Sequence, residues 1–222
     1  MCGRFALTLD PDDLQEAFPE FVLPQGSGAR FNIAPTQPVL AVPNDGGGKA
    51  VFFTWGLIPS WAKDPAIGSR MINARAETLA EKPSFRTAYK HRRCLILANG
   101  FYEWQAQPGT KGKVPHFIHL KSGAPFAFAG LWERWQSPEG SEILSTTIIT
   151  TQPNTLMSPI HNRMPVILPR PAWSHWLDIS PADPEALQPL LLAYPAEEME
   201  AYPISTRINS PGNDRPELLV KV

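Results

Sequence analysis

Two cysteines in 222 residues are too few for a disulfide framework, and one of them, Cys2, stands at the extreme N-terminus. Such a chain is expected in a reducing compartment. Neither charge is in excess: 20 Lys+Arg against 21 Asp+Glu leave a formal net charge of −1. Any binding of nucleic acid must therefore come from a local patch. No apolar run approaches a membrane span, and the first residues lack the charged start and apolar middle of a signal peptide. A soluble, cytoplasmic protein with no membrane partner is expected. Histidine is scarce as well, with five residues and no paired ligand spacing with cysteines or carboxylates, and no familiar nucleotide or metal motif is present. Neither a metal nor a cofactor is expected.

What the chain does have is proline, 25 residues spread without a repeat, and a 43% hydrophobic content. The prolines read as turns, strand edges and helix starts, and with no linker in sight the chain reads as one domain over residues 1–222. Asp10-Pro11-Asp12-Asp13, followed by Leu14, Ala17 and Phe18, has the cap, first-turn proline and early acids of a helix start. Asp183-Pro184-Glu185, leading into Leu187 to Leu192, is a second. Apolar runs Val39–Val42 and Ala50–Trp55 flank Asn44–Gly48, and Phe126–Trp135 and Ile143–Thr150 flank Ser137–Gly140. These are hairpin signals. Closely joined strands make antiparallel sheet, and the helices are too few for βαβ crossovers. The expected fold is α+β: a single β-rich domain of hairpin-connected, barrel-like antiparallel sheet with a few flanking helices. Cys94, within Arg93–Leu97, reads as a buried strand thiol, and the basic run Arg86–Arg93 as a solvated helix face.

Cys2 carries the most chemical information. Loss of the initiator methionine would leave a free amine and a thiol on adjacent carbons, and both groups titrate close to neutrality, with reference pKa values of about 8 and about 8.5. A 1,2-aminothiol captures aldehydes or attacks acyl carbons. Several other segments are polar and aromatic where a plain core would be apolar: Asn32–Thr36, Trp55–Trp61, Asn73–Thr78, Asn99–Trp104 and His161–Pro165.

Together with Met1-Cys2-Gly3-Arg4-Phe5, these landmarks resemble, in order and approximate spacing, the SOS response-associated peptidase family, whose members link covalently to abasic sites in single-stranded DNA. The resemblance covers nearly the whole chain. It implies that Met1 is removed and that Cys2 is the nucleophile, reacting with the ring-opened aldehyde of an abasic deoxyribose to give a thiazolidine DNA–protein crosslink. The amine would form an imine, and the adjacent thiol would close a five-membered ring with the high effective concentration that proximity supplies. The family's catalytic glutamate falls on Glu103, which would accept and return the amine's proton. Its histidine falls on His161, which would donate to the sugar ring oxygen, and its asparagine on Asn73, which would orient the reaction centre.

On the same resemblance Arg4, Arg75 and Arg163 fit phosphate contacts. Trp61, Trp104 and Pro35 fit flat or wedge-like surfaces against unstacked bases. Thr150 and Thr151 are secondary candidates for contacts with the DNA backbone. The partner would be single-stranded DNA containing abasic sites, bound by a monomer that associates with the nucleoid. The chain's short C-terminus suggests a minimal domain without partner-recruiting extensions. Two other readings stay open. One is a protease acting on other proteins through an N-terminal cysteine; the other is a non-covalent single-strand-binding module. Self-removal of Met1 would be the peptidase activity, and β-elimination from the imine a lyase side reaction.

Overall fold

Short apolar runs closed by turn residues become strands, and acid-capped prolines become helix starts. The computed structural model describes residues 2–110, 112–181 and 183–222. In chain order the elements are β1 (Phe5–Leu7), α1 (Pro11–Ala17), β2 (Arg30–Ile33), β3 (Pro38–Pro43), β4 (Val51–Trp55), β5 (Asn73–Arg75), α2 (Arg86–His91), β6 (Arg93–Ala98) and β7 (Gly100–Ala106). There follow β8 (Lys113–Leu120), β9 (Phe126–Gln136), β10 (Glu142–Thr151), β11 (Met164–Pro165), β12 (Ile167–Leu168), α3 (Trp173–Trp176), α4 (Pro184–Leu187) and β13 (Met199–Pro203). Short 3₁₀ turns fill several of the connections.

Both expected hairpins form, β3 with β4 and β9 with β10. The helix at Asp10 also starts as read, its carboxylate accepting from the backbone N–H groups of Asp12 and Asp13. The helix after Asp183 is shorter than its leucines suggest. It ends at Leu187 and passes into a 3₁₀ turn over Gln188–Leu191, because Pro189 has no N–H to continue an α-helix. The basic run forms α2, whose Arg86, Lys90 and His91 face solvent. Arg93 departs from that reading and is fully buried, as is Cys94 beside it.

The pairings build two sheets. One runs β13-β8-β7-β1-β2, antiparallel throughout. In the other, β10 pairs with β4, β4 with β3, β3 with β6, β6 with β9, and β9 again with β10, so five strands close into a ring. Closure removes the exposed edges that open sheets must protect. It also needs what hairpins alone do not supply: β4 and β5 both lie parallel to β10. The sheet is therefore mixed, within the expected β-rich α+β class.

The two sheets meet at Asn99, the residue between β6 of the ring and β7 of the open sheet. Its side chain receives the Thr8 N–H at 3.0 Å and donates to the Thr8 hydroxyl at 2.6 Å. Gly100 follows for a packing reason: a Cβ there would stand 2.1 Å from Cζ of Phe117. On the inner side Phe5 meets Trp55 and Phe128 edge-on, with ring centroids 5.1 and 5.7 Å apart, and Phe101 meets Phe128 at 6.1 Å. Burying a phenylalanine contributes roughly 1.5–3 kcal/mol. Phe5 thus anchors the N-terminal segment in the main core and holds Cys2 a few residues away. Among the described residues no helix is long and apolar enough to cross a membrane.

Candidate active site

Side chains alternate along β7. Tyr102 and Trp104 point to the outer cluster, where the Tyr102 hydroxyl donates to the Phe31 carbonyl at 2.5 Å and Trp104 Nε1 to Asn209 Oδ1 at 2.8 Å. Phe101, Glu103 and Gln105 point the other way. Glu103 is 2% exposed, and Gln105 donates to the Pro159 carbonyl at 3.1 Å, tying down the turn that leads to His161. On one flank of β7 the register Phe5↔Phe101, with Tyr102 N–H donating to the Arg4 carbonyl at 3.0 Å, brings Gly3 level with Glu103.

Cys2 is fully buried, its Sγ 3.8 Å from the Arg4 carbonyl. Burial first, and then the charge of Glu103, push its thiol well above the ordinary range. At neutral pH it is a thiol, not a thiolate. Asn73, set at the start of β5 by parallel pairing with Ile148, donates from Nδ2 to the Cys2 carbonyl at 2.8 Å. Its Oδ1 is buried and has no hydrogen-bond partner among the described residues.

His161 closes a turn built on buried Met157, whose carbonyl accepts from the Ile160 and His161 N–H groups at 2.9 Å. Its Nδ1 stands 3.9 Å from Glu103 Oε1. The same nitrogen lies 3.1 Å from the Arg163 N–H, which donates to it when it is bare, and 3.2 Å from the Arg163 carbonyl, which accepts when it is protonated. Either state of Nδ1 therefore finds a backbone partner, which suits a group that exchanges protons. The structure thus brings Cys2, Asn73, Glu103 and His161 into one corner. Met1 lies outside the described residues, and among those described no group of three or more His, Cys, Asp and Glu could hold a metal ion.

The family model described as SOS response associated peptidase (SRAP) matches residues 1–211. The chain belongs to this family. Among its SRAP relatives, the abasic site processing protein YoqW of Bacillus subtilis (strain 168) is 50% identical over 222 residues, covering 99% of each chain. The abasic site processing protein HMCES of Pongo abelii is 33% identical over 272 residues, covering 100% of this chain and 76% of that one. A crystal structure of a protein from Bacteroides thetaiotaomicron superposes with a TM-score of 0.89 at 26% identity, covering 100% of both chains.

The three arginines singled out in the SRAP motifs stand in different situations. Arg4 donates to Asn32 Oδ1 and the Ile208 carbonyl, both at 2.7 Å, and to the Asn209 carbonyl at 3.1 Å. It clips the C-terminal segment onto the N-terminus. Arg163 is buried and forks onto the Glu77 carboxylate at 2.6 and 2.9 Å while donating to the Thr150 carbonyl at 2.6 Å. Arg75 is exposed, and its side chain makes no hydrogen bond or ion pair among the described residues, while its carbonyl accepts from the Thr78 hydroxyl at 3.5 Å.

Thr150 is fully buried and Thr151 nearly so, so both work inside the fold, Thr150 as a support for Arg163. Pro35 is half-buried and precedes Thr36, whose φ of 69° is left-handed for a residue other than glycine. Trp61 is 59% exposed. Its loop is held by Ile58 N–H to Ser145 Oγ at 2.8 Å, Ser60 N–H to Glu133 Oε2 at 3.1 Å, and Trp135 Nε1 to the Ala62 carbonyl at 2.7 Å.

Sequence reasoning gave no role to three supporting residues. Buried Asn32 donates to the carbonyls of Ile208, Ser210 and Asn213, while Asp214 accepts from the Phe31 and Asn32 N–H groups. Glu77 pairs with Arg163. Asn32 and Glu77 lie inside the polar segments that stand out in the sequence, but Arg163 is 86 residues from Glu77 and the carbonyls that accept from Asn32 are 176 to 181 residues away.

Proposed function

We propose that this protein acts in the DNA-damage response by capturing abasic sites in single-stranded DNA through Cys2, after hydrolysis of the Met1–Cys2 peptide bond. The observation that carries this reading is the convergence of Cys2, Asn73, Glu103 and His161 in a chain whose relatives are named for abasic sites. The freed ammonium loses a proton to Glu103, and His161 donates to the ring oxygen of the abasic deoxyribose; the C1–O bond breaks and the C1 hydroxyl gives up its proton to water as the aldehyde forms. Amine and aldehyde condense to an imine with loss of water. The thiol then adds across C=N: an S–C bond forms, the double bond becomes single, and the thiol proton ends on nitrogen. Asn73 fixes the Cys2 carbonyl during these steps, and proximity makes the ring closure intramolecular.

A buried thiol beside a carboxylate suits the second position in this sequence, because the amine reacts first and the thiol is not spent as a free thiolate. It suits an acyl-transfer protease poorly, since that chemistry needs the thiolate. Exposed Trp61 on its tethered loop offers a stacking surface for an unpaired base, and uncommitted Arg75 a phosphate contact. β-Elimination from the imine, before the thiol closes the ring, would give strand cleavage as a side reaction.

The test is a mixture of purified protein with a single-stranded oligonucleotide bearing one abasic site. Wild type is expected to give a species that survives denaturing electrophoresis, and intact mass is expected to report loss of methionine and gain of the DNA together. Equal yield from Cys2→Ala, or no adduct from a wild type shown by mass to have lost Met1, overturns the reading.

A further inference from the structure

β7 lies between β1 and β8 in the open sheet, so Glu103 has two flanks. Gly3 and Cys2 occupy one. On the other, the register pairs Glu103 with His116 of β8, and directly opposed residues of an antiparallel pair project from the same face with Cβ atoms about 4.5–5.5 Å apart. The rest of β8 agrees with that assignment. Ile118 lies in the main core with Phe101, while Phe117 and His119 stack on the opposite face, their ring centroids 5.4 Å apart. His116 is half-buried, whereas Glu103 is closed to solvent. Its Nδ1 lies 3.1 Å from the Val114 carbonyl, which can only accept. Neutral His116 donating there carries its proton on Nδ1 and keeps the lone pair of Nε2.

We propose that His116 is a positioning residue and proton outlet for Glu103: it takes from the carboxylate the proton that the Cys2 ammonium has released and passes it to solvent. The inference rests on the capture reading above. Its logic is the order of the three groups across the sheet, with the nucleophile on one flank, the buried carboxylate in the middle, and a solvent-reaching imidazole on the other. The proton balance is simple. The ammonium N–H breaks as Glu103 is protonated, and Glu103 is restored as one bridging water carries its proton to His116, whose imidazolium then loses a proton to bulk water. Among the described residues the titratable groups around Glu103 are Cys2 from the N-terminal segment, His161 from the turn before β11, with Nδ1 at 3.9 Å, and His116, opposite it in register on β8 but beyond ion-pair distance. His116 itself has Glu103 on one side and uncharged Pro203 of β13 on the other.

Two measurements test the relay. In single-turnover capture of an abasic single strand, the wild-type rate is expected to rise with pH across the histidine range. His116→Gln is expected to flatten that rise and slow capture about tenfold at pH 7, less than the ~10²–10⁴ of a direct acid or base. Affinity for a strand carrying a tetrahydrofuran analogue, which has no aldehyde, is expected to stay unchanged. A His116→Gln profile identical to wild type, or one lowered uniformly without change of shape, overturns the proposal.

The second measurement is a double-mutant cycle. Once Glu103→Gln has removed the carboxylate, adding His116→Gln is expected to leave the capture rate unchanged, because nothing is left for His116 to relieve. A further tenfold loss overturns the relay just as firmly. If wild type forms no adduct, the capture reading and the relay fall together; adduct formation with an uncoupled His116 sinks the relay alone.

Discussion

Two polar clusters, one around Arg93 and one around Cys2, each have a fully buried residue at the centre and differ in what their polar atoms have to do. Arg93 is fully buried, and its guanidinium donates to the carbonyls of Tyr89, Lys90, Trp176, Asp178 and Ser180 at 2.5 to 3.5 Å. Every hydrogen-bond partner is backbone, near the end of α2, at the last residue of α3 and just beyond it. The Cys2 corner holds a thiol beside a carboxylate, a histidine nitrogen poised between a backbone donor and acceptor, and an asparagine oxygen without a partner among the described residues. Saturation makes the first cluster a brace. Retained capacity makes the second a place for chemistry, because buried polar groups that are not yet matched lower the cost of matching a bound group.

The contrast is tested most strongly by exchanging charge without changing shape. Glu103→Gln is expected to slow adduct formation by ~10²–10⁴, the range of a lost general base. Its stability should stay within about 1 kcal/mol of wild type, as read by urea midpoints. Arg93→Met should do the reverse. It keeps the stem but strips the donor from five carbonyls, so stability is expected to fall by about 3–5 kcal/mol, while the rate per folded molecule is unchanged. A slow Arg93→Met, or a badly destabilised Glu103→Gln, would mean that brace and reaction corner are not separate.

The brace and the corner were not equally legible in the sequence. Turn chemistry at Asn44–Gly48 and Ser137–Gly140 was enough for the two hairpins, and Asp10 for the start of α1, because those signals are local. The parallel seam of β4 and β5 on β10 joins residues 75 to 91 positions apart, and no local pattern encodes it. Arg93 read as part of a solvated face because its acceptors at Trp176 and Asp178 lie beyond the reach of any spacing rule. The four residues of the corner were visible through their flanking motifs, which supplied the grouping that the residue types alone did not. His116 looks like any alternating residue of a strand until the register sets it opposite Glu103.

Asn73 offers a smaller test of the same contrast. Asn73→Ala removes the donor to the Cys2 carbonyl but no core packing. Capture is expected to slow about tenfold, roughly 1.4 kcal/mol, with little loss of stability. Single-turnover rates and thermal melts on one preparation would show the two effects separating. An equal loss in both would make Asn73 part of the brace.

The smallest effect belongs to the Arg163–Glu77 pair, which supports His161 from behind. The hydrogen bonds from Arg163 hold the Glu77 carboxyl below its usual range, against a smaller opposing contribution from burial. A carboxyl whose folded pKa is depressed gives stability above its unfolded value of about 4.3, and that stability is lost as pH falls through the folded value. The Glu77 side chain is 42% exposed, so solvent screening limits the contribution to about 1 kcal/mol or less. Urea midpoints of wild type and Glu77→Gln should therefore differ at pH 7 and converge as the pH drops below about 4. Capture at pH 7 should fall only as far as the turn bearing His161 loosens. A difference in stability that persists in acid would mean that Glu77 acts through packing rather than charge.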